Sequence, residues 1–181
     1  MGEYGRLKKE GYSPMRWTKY MFLSLLALVV TTAAVGAPPE IYPDPARAHA
    51  DLAAALKQAA ATHKRVLLDF GGNWCPDCRV LDIYLHAPEN LPLLEANYVM
   101  VHVNIGRMDQ NLDIAARYGI PLKKGVPALA VADAHGTMLY SQKGGEFESM
   151  RTMQPATVTA FLAQWKPGRT QPCSIKKQVR C

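Results

Sequence analysis

Between residues 44 and 165, stretches of helical and extended periodicity alternate along the chain. From Asp44-Pro45 to His63 the sequence is Ala-rich, with Leu52, Leu56 and Ala59 at helical spacing. Asp before Pro supplies an N-cap and a first-turn proline, so this stretch predicts a helix. Arg65–Gly71 is apolar on both faces apart from Asp69, the pattern of a buried central strand. Cys75 to His86 carries Val80, Leu81 and Tyr84 on one side and stops before Pro88, which predicts a second helix. Tyr98–Asn104 reads as another strand, and Asn111–Tyr118 as a short helix ended by Gly119. Ala128–Ala132 and Thr137–Gln142 predict a hairpin around Asp133–Gly136, and Pro155–Trp165 a last helix. This order of elements predicts an α/β fold with a central mixed sheet flanked by helices, its first two strands parallel.

The ends follow different rules. An uncharged apolar run from Met21 to Ala37 follows a basic stretch and finishes in small residues, the layout of a secretory signal. The run is at the short limit for a bilayer span, which takes about 20 apolar residues. Residues 1–37 therefore read as a signal peptide, cut after Ala37 or Ala34, or as an uncleaved N-terminal anchor tethering the chain through residues 21–37. Both readings predict a periplasmic or otherwise extracytoplasmic location. The Pro-rich residues 38–45 read as a linker, 46–166 as the folded domain and 167–181 as a basic C-terminal tail. With 181 residues, 49% of them hydrophobic, the chain can build one domain and is not of disordered composition.

The net charge of +6 at pH 7 would suggest nucleic acid if it lay on the domain. It does not: Arg6, Lys8, Lys9, Arg16 and Lys19 precede the apolar run, and Lys166, Arg169, Lys176, Lys177 and Arg180 follow the last helix. A nucleic-acid partner is therefore not expected.

Candidate chemistry centres on Cys75-Pro76-Asp77-Cys78. Cysteines at this spacing serve zinc binding, haem attachment or redox exchange. Haem attachment calls for His after the second cysteine, where Arg79 stands, and a zinc site needs a second ligand pair, for which only the remote Cys173 and Cys181 are candidates. Redox exchange needs a thiolate to attack and a thiol to resolve the mixed disulfide. A strand-to-helix junction supplies both: Cys75 at the helix N-terminus, where unpaired N–H groups favour its thiolate, and Cys78 one turn later. Such exchange needs no metal or organic cofactor. Asp69 is a carboxylate in an apolar strand, costly to bury charged and so suited to passing protons to and from Cys78.

The segment Leu68-Asp69-Phe70-Gly71-Gly72-Asn73-Trp74-Cys75-Pro76-Asp77-Cys78 resembles the active-site segment of the thioredoxin family. Val103-Asn104-Ile105, Asp109-Gln110-Asn111 and Ala116–Ile120 are similar to its second strand and following helix, and Gly125-Val126-Pro127 to its cis-proline loop. The likeness covers roughly residues 50–165. It implies a thioredoxin-like fold, with Cys75 attacking, Cys78 resolving and Asp69 as the buried acid. It further implies Trp74 flanking an exposed sulfur, and a cis Pro127 beside the pair with Val126 offering backbone hydrogen bonds to substrate. His102 stands where thioredoxins commonly carry a lysine near that acid, and so is a candidate to tune Asp69.

Thioredoxin itself has Gly-Pro between its cysteines, and here Pro76-Asp77 intervenes. Asp77 puts negative charge in the first helical turn, which disfavours a nearby thiolate and points to a reductant, with Arg79 offsetting part of the charge. Pro121–Lys124 adds residues before Gly125. Cys173 and Cys181 are candidates for a structural disulfide in the tail. The sequence thus predicts an extracytoplasmic thiol–disulfide oxidoreductase that reduces protein disulfides and is recharged by an unidentified electron donor. The alternative is a thioredoxin-like module that binds a client or delivers a metal during protein assembly.

Overall fold

Four strands, β1 (Arg65–Gly71), β2 (Tyr98–Asn104), β3 (Ala128–Ala132) and β4 (Met138–Ser141), form one sheet in the computed structural model, which describes residues 39–168. Their order is β2-β1-β3-β4, with β1 and β2 parallel and the other two pairings antiparallel. Helices α1 (Ala48–Thr62), α2 (Pro76–Leu85), α3 (Leu91–Asn97), α4 (Leu112–Arg117) and α5 (Pro155–Trp165) flank the sheet.

The expected cap at Asp44 is in place, on a 3-10 turn ahead of the α-helix. The Asp44 carboxylate accepts the Ala46 N–H at 2.8 Å and starts a 3-10 turn that runs into α1. His63 ends α1 in the left-handed region, its N–H returning to the Ala59 carbonyl. Successive strand residues face opposite sides of a sheet. Val66, Leu68 and Phe70 of β1 accordingly pack with Leu52, Val101, Ile114 and Tyr118, whereas Leu67 packs with Leu81, Leu85, Leu129 and Leu162. Every residue of β1 after Arg65 is buried. By the same alternation Asp69 shares the Leu67 face, against which α2 packs through Leu81 and Leu85.

Two elements differ from expectation. Residues 39–45 are not a free linker: Tyr42 is fully buried in the core, and from Pro39 onward the chain belongs to the same compact unit as the sheet. The segment bends at Ile41 and Tyr42, and side chains from the domain bind its backbone. The other difference is α3, which periodicity does not reveal because it has seven residues and buries only Leu94. The signal or anchor within residues 1–37 and the Cys173–Cys181 pair lie outside the described residues.

Candidate active site

Cys75 is the N-cap of α2, held in an extended conformation by the end of the strand-to-helix turn, and Pro76 occupies the first helical position. Cys75 and Cys78 form a disulfide. The Cys78 N–H donates to Cys75 Sγ at 3.1 Å, so the helix start directs a donor at that sulfur. Cys75 is 3% exposed and Cys78 0%, making Cys75 the outer of the two. Cys75 Sγ lies 3.6 Å from the carbonyl oxygen of Val126, and the Val126–Pro127 peptide is cis. Trp74, 38% exposed, donates its indole N–H to the Gly106 carbonyl, and the Arg107 guanidinium stands 5.6 Å over its ring.

Beneath the pair, the fully buried Asp69 takes two bonds on one oxygen. Tyr42 donates its hydroxyl to Oδ2 at 2.6 Å, and His102 Nδ1 lies 3.0 Å from the same atom. Asp69 Oδ1 is buried with no protein partner among the described residues. Burial pulls the His102 imidazole down, but its hydrogen bond to Asp69 and the charges of Asp69 and Asp82 outweigh that and raise it above its ordinary 6.5. Burial, then the neighbouring Asp69 charge, pushes the Tyr42 phenol well above its usual range.

Asp77 sits in the first turn of α2 with its carboxylate turned onto Arg151, in a 3-10 turn at Met150–Thr152. The Arg151 backbone N–H donates to Oδ1 at 2.9 Å, and its Nε and Nη2 each lie 3.1 Å from Oδ2. Burial alone would raise the Asp77 acid; these hydrogen bonds and the Arg151 charge prevail and lower it below its ordinary 3.8. Arg79 donates instead to the carbonyls of Asn73 and Pro39, at 3.1 and 3.3 Å.

A family model described as thioredoxin-like matches residues 47–134. A solved disulphide isomerase from Xylella fastidiosa Temecula1 is 35% identical, with a TM-score of 0.64 over 72% of this chain and 97% of that one. The chain belongs to the thioredoxin-like family. A thioredoxin from Thermus thermophilus is also similar, at 25% identity and a TM-score of 0.46 over 68% of this chain and 83% of that one. No curated protein matches the sequence. The chain is a thioredoxin-like thiol–disulfide oxidoreductase whose redox-active pair is Cys75–Cys78, and its fold implies protein thiols and disulfides as substrates.

The thioredoxin-like site brings together Asp69, Trp74, Cys75, Cys78, His102, Val126 and Pro127. Two expectations change. The Cys75 sulfur is nearly covered in the disulfide form rather than exposed. The charge of Asp77 is balanced by Arg151, not by Arg79, so its effect on a Cys75 thiolate is smaller than the sequence alone implies. The sequence pattern does not point to Tyr42 or Arg151. Tyr42 lies 27 positions from Asp69 and Arg151 lies 74 from Asp77. The one available signal for Tyr42 was an aromatic residue amid prolines, which reads equally well as linker.

Proposed function

We propose that this oxidoreductase works outside the cytoplasm in the reducing direction, with Cys75 as the attacking thiolate, Cys78 as the resolving thiol and Asp69 as the base for Cys78. The observation that carries the division of roles is the position of Cys75 Sγ. It is the outer sulfur, accepts the Cys78 N–H at 3.1 Å and stands 3.6 Å from the Val126 carbonyl. An extended substrate pairing with the backbone at Val126 would bring its disulfide alongside Cys75.

The reducing direction is supported by the carboxylates around the pair. A potential becomes strongly oxidising when the reduced form is stabilised. Here Asp69 is buried beneath the cysteines, and Asp77, although paired with Arg151, adds negative charge to the first turn. Both disfavour a stored thiolate. A disulfide isomerase begins its cycle by thiolate attack, so the relative of that name also fits a pair that works from the reduced state. Export is supported by the apolar run Met21–Ala37 behind its basic flank. The electron donor would be another thiol protein, soluble or membrane-bound.

Insulin reduction by the wild type and by Cys75→Ser, with the potential of the pair measured against glutathione, tests this reading. The expected outcome is turnover lost in Cys75→Ser and a potential nearer to about −270 mV than to about −120 mV. A strongly oxidising potential would reverse the direction, and absent turnover with tight copper binding would favour metal delivery. Cys78→Ser, unable to resolve the mixed disulfide, should trap the natural client, and cell fractionation of the full-length chain tests export.

A further inference from the structure

We propose that Tyr42, carried in by residues 39–45, is a positioning residue of the redox site, its hydroxyl holding Asp69 so that Oδ1 takes the proton of Cys78. This rests on the reading of Asp69 as the base for Cys78 and deepens it.

The geometry is specific. Tyr42 and His102 both engage Oδ2, at 2.6 and 3.0 Å, which leaves Oδ1 as the buried oxygen without a protein partner among the described residues. With Asp69 ionised, both partners must donate, so both lock the carboxylate in one orientation. Tyr42 Oη and Cys78 Sγ each lie less than 3.0 Å from the point where a Cβ on Gly71 would stand, and are therefore no more than 6 Å apart. No side chain at position 71 separates them. The phenol, raised well above its ordinary value, stays a fixed donor throughout the working range.

The segment that delivers Tyr42 is gripped by the site's own loops. Asn73, two residues before Cys75, accepts the N–H groups of Ile41 and Tyr42 at 2.9 and 3.0 Å and donates to the Tyr42 carbonyl at 2.8 Å. Asn104 donates to the Pro43 carbonyl and Asn111 to that of Pro45, at 2.7 and 2.9 Å. α2 contributes Asp82, whose charge acts on both Tyr42 and His102, and β3 presents the apolar Leu129. On the solvent side His102, its side chain 20% exposed, lines a groove of about 360 Å³ with Arg47 and Asp51, which pair with each other.

In the resolving step Cys78 gives its proton to Asp69 Oδ1 and attacks Cys75 Sγ of the mixed disulfide. The Cys75–Cys78 bond forms, the bond from Cys75 to the substrate sulfur breaks, and the substrate leaves as a thiolate that solvent protonates. Two electrons pass from the cysteine pair to the substrate disulfide over the full reaction. Asp69 then returns its proton to solvent, which restores the carboxylate.

The test is the pH profile of substrate release by the reduced full-length protein. It compares the wild type with Tyr42→Phe, Asp69→Asn, their combination, and Tyr118→Phe. Tyr118 supplies the control because its hydroxyl is buried in the same core cluster with no hydrogen-bond partner among the described residues. Tyr42→Phe should move the acid limb of the profile to higher pH by about one unit, since a hydrogen bond to a carboxylate favours its charged form. Asp69→Asn should abolish the limb, the double variant should match Asp69→Asn, and Tyr118→Phe should match the wild type. If Tyr42→Phe does not fold, 3-fluorotyrosine placed at position 42 strengthens the donor and should move the limb to lower pH. A Tyr42→Phe profile that superimposes on the wild type while Asp69→Asn removes the limb overturns the role of Tyr42 and leaves Asp69 as the base. A limb that survives Asp69→Asn defeats the Asp69 reading and this proposal with it. A Tyr42→Phe shift that persists in the double variant overturns the coupling through Asp69.

Discussion

Replacing Arg151 with Gln should make the cysteine pair more reducing, because it frees the Asp77 charge in the first turn of the helix that Cys75 caps. Arg151 meets Asp77 through a backbone N–H and two guanidinium nitrogens, and the substitution removes only the latter two. Hydrogen bonds between charged groups contribute about 1.5–3 kcal/mol when protected. The Arg151 side chain is 64% exposed, so solvent screening reduces the interaction to about 0.5–1 kcal/mol. Taken as the penalty on the reduced, thiolate-bearing form, that corresponds to a fall of about 10–20 mV for a two-electron couple. Equilibration with a glutathione buffer, read by alkylation of the reduced cysteines, resolves such a change. Asp77→Asn should raise the potential, and the double variant should match Asp77→Asn, since Arg151 acts through Asp77. An unchanged or raised potential in Arg151→Gln, or strictly additive effects in the double variant, would refute the reasoning.

Three further outcomes follow from the same geometry. Because the folded state raises His102 above its ordinary value, its pairing with Asp69 stabilises the fold fully below about pH 6.5, and that contribution is lost as pH rises through the raised value. Melting temperatures across that window should therefore fall more steeply in the wild type than in His102→Asn, and equal slopes would count against the ion pair. Gly71→Ala should destabilise by about 1–3 kcal/mol in denaturant titrations, because the new methyl would stand 2.7 Å from Cys78 Sγ in a packed core; unchanged stability would mean that the neighbours yield. Asn73→Ala removes three hydrogen bonds to residues 41 and 42, at a cost of about 2–3 kcal/mol, and should speed proteolysis within residues 39–45. A cleavage rate equal to that of the wild type would show that the segment is held by packing alone.

Much of the thioredoxin-like architecture was legible because it is written in short-range patterns. Asp44-Pro45 marks a helix start, the apolar run of Arg65–Gly71 a central strand, and the cysteine spacing places both sulfurs on the first turn of a helix. Each of these depends on residues within one or two turns of one another, where backbone geometry fixes the relation between neighbours. Landmarks in order along the chain then sufficed to relate Asp69 and Pro127 to that pair.

Partner choice among polar side chains was not legible. That Asp77 carries a charge follows from its identity, but whether that charge reaches Cys75 depends on Arg151, brought from 74 positions away by the chain's return past α2. Residues 39–45 look the same in sequence whether they float as a linker or close over Asp69, since proline fixes only its own φ in either case. Local sequence thus determined the elements and the cysteine pair, through steric and hydrogen-bonding rules that act over a few residues. Only the tertiary structure decided the environment of the pair, because burial, charge balance and the close approach of Tyr42 across Gly71 arise when distant segments compete for the same space.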